Sequence, residues 1–120
     1  RTPANAAMAM ATLDQLSGGN RVICGIGVLG PQIVESWYGQ PWGKPYNQIK
    51  DYVAIMKKIW SREEPVTHNG REISLPFTGD GSLGPGKPLK SILHMNPNIP
   101  IFRGTGMDST VRMTAEIADG

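Results

Sequence analysis

One cysteine, two histidines and no long apolar run define this chain by what it lacks. A lone Cys24 excludes an internal disulfide framework and fits a reducing compartment. His68 and His94 have neither H-x-H nor H-x-x-x-H spacing and no second cysteine to join them, so no metal site is expected. Nothing approaches the roughly 20 apolar residues of a membrane span, and no basic-then-apolar leader opens the chain. Lys and Arg number 12 against 10 acidic residues, a net charge of +2 without a basic tract, which is no footprint for nucleic acid. No G-x-S-x-G nucleophile elbow is present. The expected setting is cytoplasmic, with neither nucleic acid nor membrane as partner.

What is there reads as one globular unit. The 120 residues suit a single domain, and 39% hydrophobic content is too much for a disordered chain. With 15 Gly and 10 Pro, loops are plentiful. The chain opens Arg1-Thr2-Pro3 without an initiator Met and closes Ala118-Asp119-Gly120 like the stop of a helix. Residues 1–120 are therefore expected to be an internal segment of a longer chain.

Thr2-Pro3 starts a helix through Leu16, a hydroxyl cap followed by a proline in the first turn. Ala6, Ala9, Met10, Leu13 and Leu16 mark its expected apolar stripe, and Ser17-Gly18-Gly19 its end. Arg21 to Gly27 is apolar on both faces, as in a buried parallel strand. Pro31 to Tyr38 reads as a short helix broken by Gly39 to Gly43. Pro45 restarts a helix to about Trp60, whose stripe is Ile49, Tyr52, Val53, Met56, Ile59 and Trp60. Lys50, Asp51, Lys57 and Lys58 fall off it and read as a solvated face. Asn69-Gly70 within Val66 to Ile73 predicts a hairpin turn, and Pro76 to Pro88 a surface loop. Ile99 to Arg103 is a second strand, and Asp108 or Ser109 caps a final helix carrying Val111, Thr114, Ala115 and Ala118. Strands alternating with helices predict an α/β fold with about two parallel strands, flanking helices and a β-hairpin insert.

Both strands run into glycines and then a helix. Glycine lets backbone amides approach a ligand, and the helix start adds positive potential, so phosphate is the natural guest. Two tight turns that bind nothing would look the same. Gly25-Ile26-Gly27-Val28-Leu29-Gly30 also matches the dinucleotide pattern G-x-G-x-x-G. Its context is wrong: the helix breaks within about ten residues, and the nearest acid at the ribose spacing, Asp51, lies inside a helix. Glu35 reads as an exposed helix residue and Cys24 as inert packing. Trp37, Tyr38 and Trp42 either wall a planar ring or pack on the loop.

Leu13-Asp14-Gln15-Leu16-Ser17-Gly18-Gly19 followed by Arg21-Val22-Ile23-Cys24-Gly25-Ile26-Gly27 resembles the helix-to-strand junction of the luciferase-like monooxygenase superfamily. Within it, the pattern is most similar to the deazaflavin-dependent oxidoreductases that use coenzyme F-420. Gly30 to Glu35, Lys57-Lys58-Ile59-Trp60, Val66 to Leu75, Ile99 to Gly106 and Glu116 to Gly120 continue the likeness in order. The resemblance implies a portion of a (β/α)8 TIM barrel, a fold of about 250 residues, here strands four and five. It implies a deazaflavin cofactor, with FMN as the alternative, held at the C-terminal mouth. The matching positions are Gly27, Val28 and Gly30, then Gly104, Thr105 and Gly106, the second set with the last helix at the phosphate.

The implied activity is hydride transfer between the coenzyme and a small organic substrate; the sequence leaves the oligomeric state of the full-length protein open, a homo-oligomer being one option. The alternatives are an FMN-dependent monooxygenase and a non-catalytic phosphate- or protein-binding module. Pro31 stands where some members carry a catalytic glutamate, and the family's histidine and cis-peptide bulge lie on earlier strands, so no catalytic residue is expected here. The segment alone is expected to be inactive and to lack a cooperative monomeric unfolding transition, because its strand edges and helix faces would be bare.

Overall fold

The computed structural model describes residues 1–120. Its order is α1 (Pro3–Leu16), β1 (Cys24–Ile26), α2 (Pro31–Tyr38), α3 (Pro45–Ser61), β2 (His68–Asn69), β3 (Ser74–Leu75), β4 (Ile101–Arg103) and α4 (Asp108–Ile117). β1 and β4 pair in parallel, with Cys24 beside Ile101, Gly25 beside Phe102 and Ile26 beside Arg103. β2 and β3 form a separate antiparallel pair. No helix is long and apolar enough to cross a membrane.

The core lies between the sheet and α1 and α3. Trp60, 1% exposed, is its largest fully buried side chain, and its Nε1 donates to the Ala7 carbonyl at 2.9 Å. Ala7 and Ala11 have no exposed surface; their small side chains let α1 sit close against α3. This shifts the buried stripe of α1 from the expected one. Ala7, Ala11 and Asp14 are inside, whereas Leu13 and Leu16 are 50% and 80% exposed. α1 is apolar on more than one face, so spacing alone did not single out the buried one. In α4 the buried residues are Thr110, Met113 and Thr114, and Val111 faces out. Neither Asp108 nor Ser109 caps that helix: the N-cap is Met107, with no side-chain hydrogen bond.

At the other helix start Thr2 Oγ1 accepts from the Asn5 amide at 3.2 Å. The strands are shorter than the apolar runs containing them, covering only Cys24–Ile26 and Ile101–Arg103. The expectation of two bare strand edges holds on one side only. Beyond β4, the Asp119 amide donates to the Ile101 carbonyl and the Arg103 amide to the Gly120 carbonyl, both at 2.8 Å. The Asp119 carboxylate also accepts from the Ile101 amide at 2.9 Å. The chain end therefore starts a third row beside β4. On the sheet, Cys24 and Ile101 face the helices, whereas Ile23 and Phe102 remain 57% and 46% exposed.

Candidate functional site

Parallel pairing in register places the ends of β1 and β4 together. The chain leaves β1 through Gly27 to Gly30 into α2, and β4 through Gly104 to Gly106 into α4. A 3.3 Å bond from the Gly104 amide to the Ile26 carbonyl ties the two exits. Gly27, Val28 and Gly30 are exposed, as are Gly104, Thr105 and Gly106. The six turn residues named from the sequence thus stand at one end of the sheet.

Their backbone is open except at Gly30, where a Cβ would meet Gln32 Oε1 at 2.7 Å. A Cβ on Gly27, Gly104 or Gly106 would meet nothing within 4 Å. The amides of Gly27, Val28 and Gly30, and those of Thr105, Gly106, Met107, Asp108 and Ser109, make no hydrogen bond within the chain. Part of this follows from helix geometry, since the first amides of a helix have no carbonyl one turn back. Proline at the start of α2 removes one such orphan, and the absence of a side-chain cap on α4 leaves the others free. Such an array binds anions, aided by the helix dipole.

α2 spans 8 residues, none of them buried. It is too short for the helix that a dinucleotide fingerprint opens, and Asp51 sits mid-way along α3. Trp42 Nε1 donates to the Leu29 carbonyl at 2.8 Å, so this ring is packed on the first turn, while Trp37 is 81% exposed. Glu35 is exposed on α2. Cys24 is 3% exposed, and burial pushes its thiol up from the ordinary 9.0, as inert packing requires.

Beneath the second turn lies a cluster that pattern reading missed. Arg103 Nη1 donates to Thr114 Oγ1 at 2.9 Å and to the Thr110 carbonyl at 3.2 Å. Thr105 and Thr110 are joined through their hydroxyls, and Thr110 Oγ1 donates to the Met107 carbonyl at 2.8 Å. Arg103 Nε is buried without a partner. No signal in the sequence marks this cluster, because it depends on how α4 lies on β4.

A second missed cluster holds the hairpin. Asp51, assigned to a solvated face, is 8% exposed. Its Oδ2 accepts from the Glu72 and Ile73 amides at 2.8 and 3.0 Å, and its Oδ1 from His68 Nε2 at 3.1 Å. Lys58 Nζ lies 3.4 Å from His68 Nδ1. Burial pushes the Asp51 carboxyl up, but the two amides and the His68 ring outweigh it and hold it below the ordinary 3.8. The hairpin exists, yet Asn69-Gly70 is not its two-residue turn: Asn69 pairs with Ser74 and four residues intervene. Gly70 has another purpose, since a Cβ there would overlap the Asp51 carboxylate. His94 is elsewhere, with Nδ1 3.1 Å from Arg62 Nη1.

Comparison with known proteins gives the family. The chain is 48% identical, over its full length, to a Mycobacterium tuberculosis protein named "Putative coenzyme F420-dependent oxidoreductase", of which it covers 35%. It is 29% identical over 99% of its length to the 5,10-methylenetetrahydromethanopterin reductase of Archaeoglobus fulgidus, covering 31% of that protein. It therefore spans about a third of the length of the curated relatives it matches. The luciferase-like monooxygenase model matches residues 1–120, and the chain belongs to that family.

Proposed function

We propose that residues 1–120 are part of an oxidoreductase that transfers hydride between a deazaflavin coenzyme of the F-420 type and an organic substrate. The segment is an internal portion of a (β/α)8 barrel. The observation that carries this reading is the pair of open glycine turns, side by side at the ends of β1 and β4. The 48% identity to a protein named for F-420 favours the deazaflavin over FMN.

The residues fit such a group. Free amides at Gly27, Val28 and Gly30, and at Thr105 and Gly106, offer donors to an anionic tail, with open space at Gly27 and Gly106 and the Gln32 side chain against Gly30. When bound, the deazaflavin supplies the hydride chemistry. This segment's task is to hold and orient: Gly104, Thr105 and Gly106 with the start of α4 hold the phosphate, and Gly27, Val28 and Gly30 line the neighbouring wall. Exposed Ile23 and Phe102 lie on the sheet face away from the helices, which in a closed barrel is the packed interior. The full-length protein acts on a small molecule.

Titration of the full-length protein with F-420 and with FMN tests the reading. Saturable binding of F-420, with FMN at least about tenfold weaker, is expected. Binding of FMN alone would move the protein to the flavin branch, and binding of neither would overturn the cofactor assignment.

A further inference from the structure

Arg103 is the one cation of this chain with a buried donor that has no partner. Its side chain faces α4 from the last position of β4, immediately before Gly104. The sole ion pair in the structure is that of His68 with Asp51, so Arg103, like the other Lys and Arg residues, has no carboxylate within 4.0 Å. Nη1 has two neutral acceptors, the Thr110 carbonyl and Thr114 Oγ1, and Nε is buried with none. A part-buried cation without a counter-charge is unfavourable unless something nearby uses its field.

We infer that Arg103 is a positioning residue for the anionic part of the cofactor, acting through the second turn. It does so in two ways. Its Nη1 bonds to Thr110 and Thr114 hold the first turns of α4 and so fix where the unbonded amides of Thr105 to Ser109 point. Its uncompensated charge lies beside Thr110 and Thr114, within the first two turns of α4, and adds to the positive potential of the helix start. The Thr105–Thr110 hydroxyl link joins the grip to the turn. The inference rests on the proposed binding of a phosphate-bearing deazaflavin. Its content is that Arg103 discriminates in favour of the phosphate without touching it.

The test compares two ligands in the full-length protein: F-420, and a deazaflavin lacking the phosphate and the groups beyond it. In R103M, affinity for F-420 is expected to fall about five- to tenfold, while affinity for the phosphate-free deazaflavin stays within about twofold. R103Q keeps a donor for Thr114 Oγ1; it serves if R103M does not fold, and the same selective loss is expected. R103K retains the charge and is expected to recover most of the F-420 affinity. Equal loss for both ligands, no loss for either, or an R103K no better than R103Q would overturn the inference. If wild-type protein binds neither deazaflavin, the cofactor reading itself fails and takes the inference with it.

Discussion

The helical side of the molecule and the glycine-rich end of its sheet are built on opposite terms. Around Trp60 the helices are close-packed: α1 and α3 meet through alanines, and the indole N–H finds the Ala7 carbonyl. Around Gly104 the backbone is open, amides are free, and an arginine sits without a counter-ion. Asp51 and Arg103 make the contrast residue by residue. Asp51 is buried and fully engaged by two amides and a histidine. Arg103 is part-buried, and its Nε has no partner. Asp51 is satisfied within the chain and Arg103 is left with capacity; Asp14, buried on α1 with Oδ1 unpartnered, is the exception on the helical side.

If that division is right, substitutions should separate stability from binding. The largest effect is expected for W60A in the full-length protein. Loss of a fully buried indole and its hydrogen bond should lower the unfolding free energy by about 3–5 kcal/mol, measured by chemical denaturation. Cofactor affinity of the folded fraction should be unchanged.

D51N is expected to lower stability by about 2–3 kcal/mol near neutral pH, because a charged acceptor of three hydrogen bonds is lost. The pH dependence has a definite sign. The folded-state carboxyl lies below its ordinary 3.8, so the unfolded chain takes up the proton first as pH falls. The contribution is complete above that value and is lost as pH falls through the depressed one. The stability gap between wild type and D51N should therefore narrow below about pH 4. A gap that is constant from neutral to strongly acid pH would contradict the account of Asp51.

The smallest effect on stability, and the sharpest on binding, belongs to G104A. A Cβ there meets nothing within 4 Å, so unfolding free energy should stay within about 0.5 kcal/mol of wild type. F-420 affinity should fall about tenfold through crowding of one amide donor. Loss of stability without loss of affinity would reverse the comparison.

Much of this architecture was legible in the residues. Thr2-Pro3 and Ser17-Gly18 bound α1 as capping chemistry requires, and the stripe from Ile49 to Trp60 located most of the buried face of α3, missing Ile55 and including the half-buried Tyr52. The two glycine turns were found because strand, glycine and helix follow one another along the chain. What was not legible depended on contacts distant in sequence. Asp51 has the spacing of a surface residue and is drawn inward by amides more than twenty positions away. Asn69-Gly70 mimics a tight turn, but Gly70 is there to let that carboxylate approach. Arg103 reads as the polar end of an apolar run until α4 is laid upon it. The chain end beside β4 escaped notice because Asp119 and Gly120 carry no strand signal of their own.

The segment excised by itself should show no cooperative thermal transition as a monomer, since Ile23, Phe102, Leu13 and Leu16 all remain substantially exposed. The most direct test of the central claim is a crystal structure of the full-length protein with F-420 bound. The account predicts phosphate oxygens within about 3 Å of turn amides between Thr105 and Ser109, with Gly27 to Gly30 along the same ligand. A phosphate held by other loops, with both glycine turns facing solvent, would contradict it.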